Sequence, residues 1–211
     1  MGDVLLMINP EAITNYNLTD RELEEHILFW VCAAGKNGRT AARCLEVFLT
    51  MIMYNNMSPF EAIKDRYAYD NKSFNIKDEN YKTIPDFMKM AGIGCYNQKS
   101  RTFVELAFSN IDLKTCSARD LEKIYGIGMK TSRCFILHSR KNARYAGLDT
   151  HVLKFLRRMG HNVPKSTPIG KKYLELEVTF LNYADMVYKT PAEFDLDIWN
   201  QYSVKTLTNK K

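Results

Sequence analysis

The 211 residues, 45% apolar and 12% aromatic, carry enough apolar side chain for a core, in one domain or in two small lobes sharing a cleft; disorder is not the default. No run of about 18 apolar residues occurs, so no membrane span is indicated. Lys and Arg outnumber Asp and Glu by 30 to 24, and the net charge of +6 suits a polyanionic partner without requiring one.

The opening segment MGDVLLMINPEAI lacks a basic stretch ahead of a long apolar run, and Leu6 stands where a myristoylation signal needs Ser or Thr. The expectation is an intracellular protein, in cytoplasm or nucleus according to its host. Thr19-Asp20-Arg21-Glu22 has the form of a capping box, and Leu23, Ile27, Leu28 and Val31 follow at helical spacing. Ala33 to Arg39 reads as a turn between helices. Ser58-Pro59-Phe60-Glu61 repeats the box with Pro at the first helical position. The polar stretch 69–83 reads as a surface connection.

Ser117 opens a short helix over Ala118 to Ile124, and another helix starts at about Met129. Asp149 or Thr150 caps a helix whose apolar positions are Leu153, Leu156 and Met159. The Pro- and Ser-bearing stretch 161–170 breaks the chain again. Thr190-Pro191-Ala192-Glu193 opens a last helix with Phe194, Ile198 and Trp199, and the polar residues Ser203 to Lys211 are expected to fray. Period-two strand patterns are almost absent, so the predicted fold is all-α, with roughly ten helices. Basic residues gather at 98–101, 129–144 and 154–158, which by itself describes solvated helix faces.

Cys32, Cys44, Cys95, Cys116 and Cys134 are scattered, and no CxxC pair exists. That pattern fits reduced, mostly buried thiols better than a zinc or iron–sulfur site.

Two glycine pairs, Gly92-Ile93-Gly94 and Gly126-Ile127-Gly128, each sit between helical stretches with a Lys downstream. Around the second the chain runs LEKIYGIGMKTSRCFILHSR. Turn glycines let a backbone approach a phosphate, and a helix N-terminus offers open N–H groups and a positive dipole end. For the glycines alone a plain helix–helix turn is the better account. Lys130 adds to this: in the first turn of a helix the dipole disfavours a cation. The same setting and partial burial lower an ammonium pKa, and an amine must be neutral to act as a nucleophile. An exposed Lys130 paired with Asp120 or with a phosphate is the ordinary alternative. Asp149, taken alone, is an N-cap.

In combination, Gly126, Gly128, Lys130, Asp149 and His151 resemble the signature of the helix-hairpin-helix DNA glycosylases, a superfamily that includes endonuclease III and the 8-oxoguanine glycosylases. That signature is a GxG hairpin, a Lys two residues past the second Gly in bifunctional members, and then an Asp-x-His element. Upstream, GIGCYNQKSR resembles the family's wedge loop. The likeness spans about residues 25–160. The C-terminal stretch KKYLELEVTFLNYADMVYKTPAEFDLDIW is similar to the tail of the compact archaeal-type 8-oxoguanine glycosylases, which lack the iron–sulfur cluster of endonuclease III. That group places a C-terminal Lys near the damaged base. This chain ends in Lys210-Lys211, a few residues further past Trp199, and the contact is not carried over.

The resemblance implies a single glycosylase domain over 1–211, with helical lobes of about 25–125 and about 1–24 plus 126–211 and a cleft between them. It implies a monomer acting on damaged double-stranded DNA, with no cofactor and no metal. The damaged nucleotide would be flipped into a pocket. Tyr96 would be the wedge, Lys99 and Arg101 would lie near phosphates, and Asn37 would fill the gap. Lys130 would attack the sugar and Asp149 would stabilise the developing charge. His151 would touch a phosphate, and Asp195 and Trp199 would wall the base pocket. For Asn37 an interhelical turn, and for Trp199 core packing, remain open. The function implied is a bifunctional 8-oxoguanine glycosylase and abasic-site lyase. The alternatives are the same chemistry on an oxidised pyrimidine or other modified base, and a non-catalytic DNA-binding hairpin module.

Overall fold

The computed structural model describes residues 8–72 and 82–203. Leu6, the tail from residue 204 with Lys210 and Lys211, and residues 73–81 of the expected surface connection lie outside the described residues. Among the described residues there are ten α-helices, one 3-10 turn at Pro10–Ala12, and no strand. In chain order the helices are α1 (Asp20–Ala33), α2 (Gly38–Ile52), α3 (Pro59–Lys72), α4 (Ile84–Met90), α5 (Tyr96–Phe108), α6 (Ala118–Leu121), α7 (Met129–Ser139), α8 (Thr150–Arg158), α9 (Gly170–Met186) and α10 (Pro191–Ser203). The fold is all-α, as the periodicity predicts.

Helix starts follow the capping chemistry. At Thr19 the hydroxyl accepts from Glu22 N–H while the Glu22 carboxylate accepts from Thr19 N–H at 2.7 Å. The same reciprocal pairing joins Ser58 with Glu61 and Thr190 with Glu193. Such boxes satisfy donors that the first helical turn leaves open.

Two boundaries differ from expectation. The stretch 69–83 is not all connection: α3 continues to Lys72, and Thr83 with Asp86 forms a further capping box that starts α4. The short helix after Ser117 ends at Leu121 rather than Ile124. There the chain tightens into i→i+3 bonds, Lys123 N–H to Asp120 O and Ile124 N–H to Leu121 O, ahead of the glycine turn.

The chain divides into two compact units: Met1–Pro10 with Leu18–Ile127, and Glu11–Asn17 with Gly128–Lys211. In the first, α1 buries Leu23, Ile27, Leu28 and Val31, and Phe48 meets Phe103 edge to face with centroids 5.6 Å apart. The core of the second is built from Leu148, Val152, Leu153, Leu156, Tyr173, Phe180, Phe194 and Ile198. Leu153 and Leu156 face that core, whereas Met159 lies past the end of α8 and is exposed. This core fixes the starts of α7 and α8 and one face of α10, which carry the candidate site.

Candidate active site and nucleic-acid interface

The turn before α7 needs its first glycine for internal reasons. Gly126 is left-handed at φ +81, and an added Cβ would run into Thr102 Oγ1 on α5. Gly128 has no such reason. It caps α7 in extended backbone that any residue adopts, and an added Cβ would meet nothing within 4 Å among the described residues. It is solvent-exposed and supplies no side-chain cap to the first N–H groups of α7. An open, uncapped helix start is what a phosphate oxygen can approach.

Lys130 is the second residue of α7, as expected, and Asp149 is the N-cap of α8. Asp120 does not pair with Lys130; it holds Lys123 at 2.7 Å. Asp149 Oδ1 accepts from His151 N–H at 2.8 Å and Val152 N–H at 2.9 Å, which leaves Oδ2 for the site. Its carboxyl is pushed above the usual carboxylate range, first by burial and then by the negative charge of Asp195. The Lys130 ammonium and the backbone bond from Val152 oppose that shift. The structure therefore brings Lys130 and Asp195 each within reach of the charge on Asp149, all in the second unit.

Cys134 lies one turn beyond Lys130 and feels all three of these charges. It is buried, and burial pushes its thiol up to about 12, so it stays a neutral packing group. A Cβ on Gly147 would collide with Cys134 Sγ and would lie 3.7 Å from Asp195 Oδ1. Gly147 thus lets the segment leading to Asp149 press against α7 and α10.

That segment is clamped by side chains. The Tyr173 hydroxyl donates to Ala146 O at 2.7 Å and accepts from Leu148 N–H at 3.2 Å. Glu177 Oε1 accepts from Ala146 N–H at 3.0 Å and pairs with Arg133 Nε at 3.1 Å. The Arg133 guanidinium also lies over the Tyr173 ring, 5.0 Å from its centroid. All three side chains are buried, so the loop's backbone groups are satisfied away from water and Asp149 starts from a rigid base.

Asp195 lies on α10, with the half-buried Trp199 one turn further along. Its Oδ2 faces His138 Nε2 at 3.3 Å, whereas its Oδ1 is buried without a hydrogen-bond partner among the described residues. His138 Nδ1 in turn meets Thr14 Oγ1 at 2.7 Å. His151, in the first turn of α8, is half-buried.

The remaining predicted residues lie in the first unit. Tyr96 opens α5, half-buried, after Cys95 in a left-handed conformation at φ +54. Arg101 pairs with Glu105 at 2.8 Å and stacks its guanidinium 4.0 Å from the Tyr125 ring centroid, while its side chain stays 63% exposed. Asn37 caps α2, accepting from Arg39 N–H at 3.0 Å and from Thr40 N–H at 3.4 Å. Lys99 departs from expectation. Only 8% exposed, its ammonium donates to Cys32 O at 3.0 Å and Ala34 O at 3.1 Å, at the C-terminal end of α1. A lysine held there satisfies orphan carbonyls and complements the helix dipole, so it acts as a structural tie.

No family model matches the chain. The 8-oxoguanine DNA glycosylase/AP lyase of Picrophilus torridus is 32% identical over 79 residues, a stretch covering 37% of this chain and 37% of that protein. The chain thus matches little more than a third of that relative's length. Similarity to solved structures runs much further. The crystal structure of the Thermotoga maritima 8-oxoguanine DNA glycosylase matches 91% of this chain and 86% of its own, with a TM-score of 0.66 and 20% identity. The Methanocaldococcus jannaschii 8-oxoguanine glycosylase/lyase, solved with a 15mer DNA containing 8-oxoguanine, matches 89% and 83%, with a TM-score of 0.61 and 19% identity. The fold is that of the 8-oxoguanine DNA glycosylases.

Sequence reasoning missed His138, Thr14, Gly147, Tyr173 and Glu177. One signal was available for Glu177. Tyr173, Leu176, Glu177, Phe180 and Ala184 form one buried stripe of α9, and a carboxylate in an apolar stripe needs a buried partner. The bonds of Thr14 and Tyr173 span 124 and 27 positions, and nothing local in the sequence announces them.

Proposed function

We propose that this chain is a bifunctional DNA glycosylase and abasic-site lyase that excises 8-oxoguanine from double-stranded DNA. The observation that carries the reading is the lysine at the uncapped start of α7, gathered with the half-buried carboxylate of Asp149 in one unit.

The target base is inaccessible inside the duplex, so the nucleotide is flipped out. Tyr96 wedges into the stack and Asn37 fills the gap, while Arg101, His151 and the backbone at Gly126 and Gly128 meet phosphates. Asp195 and Trp199 wall the base pocket. The neutral Lys130 amine adds its lone pair to C1′ as the C1′–N bond to the base breaks, and the base leaves with its electron pair and takes up a proton. Asp149 stabilises the positive charge that develops on the sugar. The sugar ring opens to a Schiff base between Lys130 and C1′. Loss of a C2′ proton then expels the 3′ phosphate by β-elimination, which cuts the strand.

Borohydride reduces such a Schiff base to a stable amine. Incubating the protein with borohydride and duplexes carrying 8-oxoguanine opposite each base should yield a covalent protein–DNA adduct. A thymine glycol duplex should yield much less. No adduct on any of these duplexes would sink the lyase assignment, and trapping confined to thymine glycol would move the substrate to oxidised pyrimidines.

A further inference from the structure

We propose that His138, held in place by Thr14, is a positioning residue that aims Asp195 at the flipped base; this rests on the proposed function. His138 has no exposed surface, although it is a polar side chain on a helix packed among apolar residues. A buried imidazole is kept where both ring nitrogens have work. One nitrogen faces Thr14 Oγ1 at 2.7 Å and the other faces Asp195 Oδ2 at 3.3 Å. Asn15 N–H also donates to the His138 carbonyl at 2.9 Å. The segment Glu11–Asn17 belongs to the second unit, so an early part of the chain is stapled to α7 at a histidine that reaches α10.

The chemistry of the three groups sets the direction of the relay. Asp195 Oδ2 accepts, so Nε2 carries the hydrogen that it donates. In a neutral imidazole Nδ1 is then the acceptor for the Thr14 hydroxyl. This fixes the carboxylate in one rotamer and leaves Oδ1 buried beside Gly147 with no donor among the described residues. A buried carboxylate oxygen without a donor is costly, and that cost is removed when a donor arrives from outside. A purine base brings ring and exocyclic N–H groups of the required kind. His138 and Thr14 therefore act through Asp195 on the base, not on the sugar.

That division supplies the test. Single-turnover release of 8-oxoguanine needs the base contact, whereas strand cleavage at a pre-formed abasic site does not. His138→Leu should slow base release about tenfold, the loss of one charge-assisted hydrogen bond, while abasic-site cleavage stays within about twofold. His138→Gln keeps an N–H donor near the Nε2 position and should return base release to within about threefold of the wild type. Thr14→Val should cost about threefold, again in base release alone, and carries the comparison should His138→Leu fail to fold. Loss of both activities together, or of neither, would overturn the relay.

A second readout needs no activity. In 15N spectra of the full chain, His138 should carry its hydrogen on Nε2, and Asp195→Asn should move those signals; a hydrogen on Nδ1 alone overturns the relay. The spectrum decides even if the wild type releases no 8-oxoguanine, a result that would overturn the proposed function instead.

Discussion

Gly92-Ile93-Gly94 and Gly126-Ile127-Gly128 share a left-handed first glycine, a buried isoleucine, and a last glycine whose absent Cβ leaves open space. They differ in how the next helix begins. After Gly94 an extra residue, Cys95, caps α5, so Lys99 is the fourth residue of that helix. Gly128 is itself the cap of α7, so Lys130 is the second. A lysine one half-turn further into its helix reaches different neighbours: Lys99 ends on the carbonyls of Cys32 and Ala34, Lys130 within reach of the charge on Asp149. The lesson is that a GxG turn with a downstream lysine predicts chemistry only once the helix start is fixed to the residue.

The largest effect that could break the comparison is loss of the amine at Lys130. Lys130→Gln should lower strand cleavage and borohydride trapping at least about a thousandfold, since a covalent nucleophile has no substitute. The melting temperature should change little, because the relief of a first-turn cation from the helix dipole is offset by the loss of its attraction to Asp149. If Lys130→Gln still cleaves, the hairpin only grips phosphates and the two lysines do not differ in kind.

Lys99→Met should do the opposite. It strips Cys32 O and Ala34 O of a charged donor at a buried helix end, a loss of about 2–3 kcal/mol of stability. Denaturant titration would measure it, and trapping per folded molecule should be unchanged. A drop in trapping without a drop in stability would restore Lys99 to the DNA interface.

The first glycines of the two turns separate more gently. Gly92→Ala meets Cys44 Sγ at an ordinary 3.5 Å and bears only the left-handed strain, about 1 kcal/mol. Gly126→Ala adds the clash with Thr102 and should cost about twice that. Thr102→Ala in the Gly126→Ala background should recover the difference. Equal costs at the two glycines would mean that α5 yields at Thr102.

The surroundings of Lys130 also carry a pH signature on the acid side. Asp149 is raised by burial and by Asp195, so it takes up a proton at a higher pH than an ordinary carboxylate does. Activity that needs the carboxylate is lost as pH falls through that raised value, and the folded state gains relative stability in the same direction. Asp195→Asn removes the like charge, so the acid limb of abasic-site cleavage should move to lower pH. A limb that stays in place would mean that Asp195 does not act on the lysine–aspartate pair.

Much of this was legible in the sequence, because helix starts are local events. Capping boxes at Thr19, Ser58 and Thr190 use residues three apart, and Lys130 and Asp149 declare themselves as a first-turn residue and a cap. Thr83 was missed because its box stands at the end of a polar stretch that reads as a connection. Lys99 misled because a basic residue next to an aromatic reads as a surface feature, while its orientation depends on the Cys32 carbonyl in the last turn of α1, 67 residues earlier. His138 and Thr14 could not be paired for the same reason: their contact is set by tertiary packing, and no period or spacing encodes it.

The smallest effect sharpens the comparison most. Gly128 takes extended backbone in open space, so Gly128→Ala should change stability by less than about 1 kcal/mol, the poorer cap being offset by a less flexible unfolded chain. Its added methyl stands where a phosphate oxygen would approach the first N–H groups of α7, and duplex affinity should weaken about fivefold. The same change at Gly94 should leave affinity within about twofold, because there Cys95, not the glycine, caps the helix. Gel-shift titrations at one fixed salt concentration compare the two, since phosphate-dominated affinity varies steeply with salt. If both glycines behave alike, an open final glycine says nothing about where the DNA lies. If only Gly128 responds, the absence of any internal need for glycine there is itself the mark of an external ligand.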